Sequence, residues 1–149
     1  MADADTQCGI GIRGVAVAID GIPWLAAFFL ATWAVAAATG QLETGAASVD
    51  AELSGTPGLA AFGLWIGLGV AYHAVLEWWA GQTVGKYLVS IRVVATDGTP
   101  VSGRAAVLRN LLRVVDFLPV FYLVGIAVML FADEATRLGD LVADTRVVR

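Results

Sequence analysis

The sequence predicts an all-α membrane protein with two transmembrane helices, a third helical region and a small cytoplasmic β element, and three observations carry this prediction. Of 149 residues, 58% are hydrophobic, and mean hydropathy is +0.78, far above the soluble average. Two apolar runs, residues 15–38 and 59–80, are each long enough to cross a hydrocarbon core of about 30 Å as a helix. Between residues 81 and 104 the pattern turns β-branched, so this part of the chain is not a span. The length fits a single domain, 1–149.

The first helix is expected from about residue 12 to 38. Asp20 lies inside its apolar run, seven residues after Arg13 and nearly on the same face. A carboxylate in hydrocarbon costs about 2.5 to 3.5 kcal/mol on insertion scales, so Asp20 is expected to face protein or water. Pro23 falls within one turn of it and removes a backbone donor, which predicts a kink and a polar enclosure, or else a tolerated proline without consequence. Ala36-Ala37-Ala38 imitates a signal-peptide cleavage site, but acidic Asp3 and Asp5 precede the run, which is long and contains Asp20.

Residues 40–56 read as an acidic loop rich in Gly, Ala and Ser. Thr56 and Pro57 suit the N-cap and first position of a second helix running to Ala80. Gly63, Gly67 and Ala71 form a small-residue stripe on it, expected to be a packing face. Residues 88–96 predict a strand, Asp97-Gly98 a turn, and residues 145–148 a second strand able to pair with the first. Ser102 is the expected N-cap of a third, amphipathic helix, 103–117, closed by Pro119. Arg109, Arg113 and Asp116 share a narrow sector of this helix, with Asn110 at its margin. The remaining run, 118–132, rises only about 22 Å as a helix and predicts a short tilted span or a re-entrant arm.

Net charge is −4, from 13 acidic and 9 basic residues, which gives nucleic acid no electrostatic purchase. The lone Cys8 has no disulfide or metal-ligand partner at a suitable spacing. No nucleophile–base pair, phosphate loop or metal cluster is evident, so no enzyme activity, cofactor or metal is expected. The first loop has no Lys or Arg, whereas the second carries Lys86, Arg92 and Arg104, which places the N-terminus in the cytoplasm and the protein in the cytoplasmic membrane. The tail carries Arg137, Arg146 and Arg149 and must lie on the same side if its strand pairs.

Arg13 with Asp20, the run Gly81-Gln82-Thr83-Val84-Gly85-Lys86, Ile91-Arg92-Val93-Val94, Asp97-Gly98, Leu108-Arg109-Asn110 and Arg137-Leu138-Gly139-Asp140 together resemble the RDD family of small membrane proteins. The family takes its name from an arginine and two aspartates. The resemblance implies that Arg13 and Asp20 are the first two and Asp140 the third, with Asp116 as the alternative. One departure is Asp144, where related proteins commonly carry a small residue before Thr145; it is expected to loosen the turn slightly. The resemblance further implies transport of an unidentified ligand.

Two functional readings follow. In the first, the chain is a homo-oligomeric transport component such as a cation/proton exchanger, with Asp20 handling a monovalent cation or proton. In the second, it is a non-transporting scaffold or interaction module in the lipid bilayer, whose charges only hold the helices together. Both draw on one expected network of Arg13, Asp20, Arg109, Arg113, Asp116 and Asp140. Asp20 is expected to meet Arg109 or Arg113, and Arg13 to reach the headgroups, Asp116 or Asp140. His73 and Glu77, four apart on one helix face, suggest a proton relay; against it, Glu77 sits beside Trp78 and Trp79, as in an interfacial belt.

Overall fold

The computed structural model describes residues 8–45, 49–116 and 138–149, without the side chains of Ile10, Val49, Val115, Asp116 and Leu138. In chain order they form α1 (Ile10–Thr39), β1 (Leu42–Thr44), β2 (Val49–Ala51), α2 (Gly55–Ala80), α3 (Val84–Leu88), β3 (Arg92–Ala95), α4 (Gly103–Asp116), α5 (Leu138–Val142) and β4 (Thr145–Val148). The expectations for residues 118–132, Pro119, Arg137 and the Asp116 side chain lie outside the described residues.

Among the described residues, two helices are long and apolar enough to cross a membrane: α1, through Pro23, and α2. The chain divides into two compact units. One, Gly21–Gly69, holds the later part of α1, the earlier part of α2 and the connection between them. That connection is not the plain loop expected but an antiparallel hairpin, with Leu42 opposite Ala51 and Thr44 opposite Val49. Its packing is aromatic. Trp65 stands edge-on to Trp24, Phe28 and Phe62, and its indole N–H donates to the Trp24 carbonyl at 3.0 Å. Along the small-residue stripe, a methyl added at Gly63 or Gly67 would meet nothing within 4 Å among the described residues. Gly69 is the crowded position, where a Cβ would fall 2.5 Å from the Trp24 ring.

The other unit contains residues up to Asp20 and from Val70 onward. Its core joins Cys8, Ala16, Ile91, Val93, Val101, Ala106 and Val147. β3 and β4 pair antiparallel, Arg92 opposite Val148 and Ala95 opposite Thr145, as their β-branched runs predicted. Val93 and Val94 on β3 and Val147 and Val148 on β4 are all buried, so the ribbon is covered on both faces. The Cys8 N–H donates to the Val147 carbonyl at 3.1 Å, tying the start of the chain to this ribbon.

The predicted strand starts too early. Residues 84–88 form the single-turn helix α3, because Thr83 in an extended conformation caps it, its hydroxyl accepting from the Lys86 N–H. Ser102 likewise caps α4 through the Ala105 N–H at 3.2 Å. Asp97-Gly98 forms the expected turn, closed by the Gly98 N–H to the Ala95 carbonyl at 2.9 Å.

Asp144 sits between α5 and β4 at φ 48°, in the left-handed region, while its carbonyl accepts from Thr96 N–H. Asparagine, aspartate and above all glycine tolerate this conformation. Asp144→Gly is therefore expected to stabilise the protein by up to about 1 kcal/mol. A thermal melt in detergent checks this; a lowered midpoint would mean the Asp144 side chain contributes more than its backbone strain removes.

Candidate functional site

Two buried polar clusters occupy the unit built on Val70–Arg149 and the start of α1. The first surrounds Asp20, which is only 3% exposed. One oxygen accepts from the Tyr72 hydroxyl and the Gly85 N–H, both at 2.9 Å. The other accepts from the Thr83 hydroxyl at 2.5 Å, with His73 Nε2 3.9 Å away. The Val84 N–H donates in turn to the Tyr72 oxygen at 3.3 Å. One carboxylate thus joins α1, α2 and the entry to α3.

Gly85 makes this approach possible. A Cβ there would run into the Ala16 carbonyl oxygen and lie 2.9 Å from the Asp20 carboxyl carbon. Only a residue without a side chain lets the α3 backbone come close enough to donate to Asp20.

The second cluster is ionic. Glu77, 1% exposed, takes Lys86 on one oxygen; on the other it takes Arg109 Nε at 3.2 Å and the Asn110 amide at 2.8 Å. Asp140 takes Arg13 at 3.0 Å and Arg109 Nη2 at 2.8 Å. Arg109 is the hub: its remaining terminal nitrogen donates to the Thr145 hydroxyl at 3.2 Å, so it bridges Glu77, Asp140 and β4. Arg13 and Asp140, 127 positions apart in sequence, meet here. Burial holds the Lys86 ammonium down at about 8 despite the pull of Glu77; Arg109 and Arg113 push it the same way as burial.

The placement corrects three expectations. Asp20 does not meet Arg109 or Arg113; its described partners are hydroxyls, a backbone N–H and an imidazole. Arg109 goes instead to Glu77 and Asp140, because α4 packs against α5. Glu77 is no belt residue: Trp78 and Trp79 beside it are 61% and 83% exposed, while Glu77 points the opposite way into the ionic cluster. His73 and Glu77 do not form a relay through these bonds, since His73 faces Asp20 and Glu77 faces the basic residues. Arg113 lines the cavity beside the ionic cluster.

Sequence reasoning missed Tyr72, Thr83, Gly85, Lys86, Asn110 and Thr145 as members of these clusters. One usable signal existed for three of them: a Thr-x-Gly-Lys run directly after a membrane-length helix, where a capping threonine and a glycine open the backbone to an anion.

The arrangement defines a class, a membrane protein whose two apolar helices share a buried network of charges with a small β-ribbon unit. Within that class, the chain belongs to the RDD family, whose family model matches residues 8–144. Neither a curated protein nor a solved structure gave a match to the chain.

Proposed function

We propose that this protein is a non-transporting membrane module, a scaffold or docking element whose buried charges hold its folded head together. The observation that carries this reading is the engagement of both Asp20 oxygens. Both of its oxygens already accept short bonds, from Tyr72 on α2 and from Thr83 and Gly85 at the start of α3, which occupies three of the about four acceptor sites of the carboxylate and favours a fixed one.

Helix length supports the same view. From Gly21 to the end of α1 at Thr39 the helix rises about 28 Å, close to the hydrocarbon thickness. An equal rise from the start of α2 at Gly55 reaches His73. Asp20 and His73 therefore come to the same level at the edge of the hydrocarbon, where a carboxylate is far less expensive than at midplane. All nine Lys and Arg residues lie outside Gly21–Gly69, which favours a cytoplasmic N-terminus in the cytoplasmic membrane, with the hairpin outside. Pairing of β4 with β3 supports the same side for the tail.

A second reading, a transport component such as a cation/proton exchanger, is favoured by the small cavity that Glu77 and Asp140 help to line. It calls for oligomerisation, because the two spans among the described residues do not enclose a pathway.

Asp20→Asn separates the two. On the scaffold reading, wild-type protein in proteoliposomes moves neither sodium nor protons, and the variant loses about 2 kcal/mol of stability and accumulates poorly, since an amide N–H would face the donors around it. Ion flux in the wild type that is lost in a well-assembled Asp20→Asn protein would overturn the scaffold reading.

A further inference from the structure

The single turn α3 has two unlike sides. Gly85 and Lys86 are buried, the first bonded to Asp20 and the second to Glu77. Val84, Tyr87 and Leu88, three and four positions apart on the other side, are exposed. Directly before the turn, α2 ends on Trp78 and Trp79, which are exposed as well. Large apolar and aromatic side chains thus face outward from one short stretch of chain.

One helical turn does not hold together by itself, so its position is set by what grips it. The Gly85 N–H donates to Asp20 at 2.9 Å and the Val84 N–H to the Tyr72 hydroxyl at 3.3 Å. The Ala16 carbonyl fills the space that a Cβ of Gly85 would need. On the membrane placement proposed above, Asp20 and His73, the residue after Tyr72, mark the edge of the hydrocarbon. Ala16 lies one turn of α1, about 6 Å, beyond that edge. The headgroup layer on each side of a bilayer is about 5 to 7 Å deep. These bonds therefore hold α3 at the depth of that layer.

We infer that the outer side of α3, together with Trp78 and Trp79, is a lipid-contact surface that rests the cytoplasmic unit on the boundary between acyl chains and headgroups. The side chains suit this partner. Val84 and Leu88 leave water for acyl chains, while Tyr87 and the two tryptophans combine an apolar ring with a polar tip, as interfacial residues do. The turn that grips Asp20 on its inner side is then seated on lipid by its outer side, which fixes the depth of the Asp20 cluster.

This rests on the bilayer placement of α1 and α2 given above, and one experiment reads the two separately. Cysteines are introduced into the full chain at Val84, Leu88, Leu64 and Thr96, one at a time, and labelled with a nitroxide in nanodiscs of phosphatidylcholine and phosphatidylglycerol. Wild-type protein, whose lone Cys8 is buried, is the labelling blank. Relaxation of each label by oxygen, which enters lipid, is compared with relaxation by a water-soluble nickel chelate. Leu64, exposed midway between Gly55 and His73 on α2, reports the span, and Thr96, exposed in the turn after β3, reports water. The oxygen-to-nickel ratio at positions 84 and 88 is expected to exceed that at 96 by about threefold or more and to lie below that at 64, as at an interface. A ratio equal to that at 96 would overturn the lipid contact. So would shielding from both reagents, which would mean that protein covers this side. A water-like ratio at 64 would instead remove the bilayer placement itself. Either of positions 84 and 88 decides the matter if the other variant does not accumulate.

Discussion

Glu77→Ala is expected to destabilise the protein by about 3 to 5 kcal/mol and to abolish accumulation of folded material. Glu77 is the shared acceptor for Lys86, Arg109 and Asn110, all buried, and its removal leaves Lys86 in a low-dielectric interior without its carboxylate and Arg109 with Asp140 alone. A loss of that size is a large part of the about 5 to 15 kcal/mol by which a domain is usually stable. Glu77→Gln should recover only part of it, because the amide keeps the shape and one acceptor but not the charge. Thermal melting and detergent size exclusion read both variants. If Glu77→Ala melts within about 1 kcal/mol of wild type, the cluster contributes little to folding and the scaffold reading loses its energetic basis.

The second large effect is expected at Gly85. Alanine there would drive its methyl into the Ala16 carbonyl, and backbone cannot yield as a flexible side chain can. Relief requires α3 to move away from α1. That withdraws the Gly85 N–H and the Thr83 hydroxyl from Asp20 together, so overpacking and two lost charge-assisted bonds add to about 3 kcal/mol or more. Gly63→Ala provides the contrast. No described atom would meet its methyl, and alanine is the better helix former by about 1 kcal/mol, so that variant should be neutral or stabilising. Equal behaviour of the two variants in a melt would show that α3 does not depend on its close approach to α1.

The two apolar helices and the β3–β4 pairing could be read in the chain because each rests on local pattern. Hydropathy over twenty residues reports a span, and β-branched runs beside a Gly turn report strands. The short helix α3 escaped because its residues Val84 to Leu88 are equally suited to a strand, and only the Thr83 cap decides between them. The β1–β2 hairpin escaped because its strands have only three residues each, too short for alternation to register.

The charged residues divide differently. That Arg13, Asp20, Arg109 and Asp140 would need partners followed from the chain alone, since an ionisable group in or beside an apolar helix is too expensive to leave unpaired, whereas Glu77 read as an interfacial residue. Which partners they take did not. The sequence placed Asp20 among arginines, whereas folding gives it neutral donors and joins the arginines to Glu77 and Asp140. Charge demands compensation wherever it lies, and one residue's neighbours along the chain reveal that demand. Its answer depends on which side chains distant segments bring within about 3 Å, and that is decided by packing at Gly85 and Gly139, where backbones from separate elements touch. The sequence by itself determined the membrane class, the two apolar helices and the need for a buried polar network; tertiary structure alone decided that this network is two clusters, one holding Asp20 by hydrogen bonds and one pairing charges around Arg109.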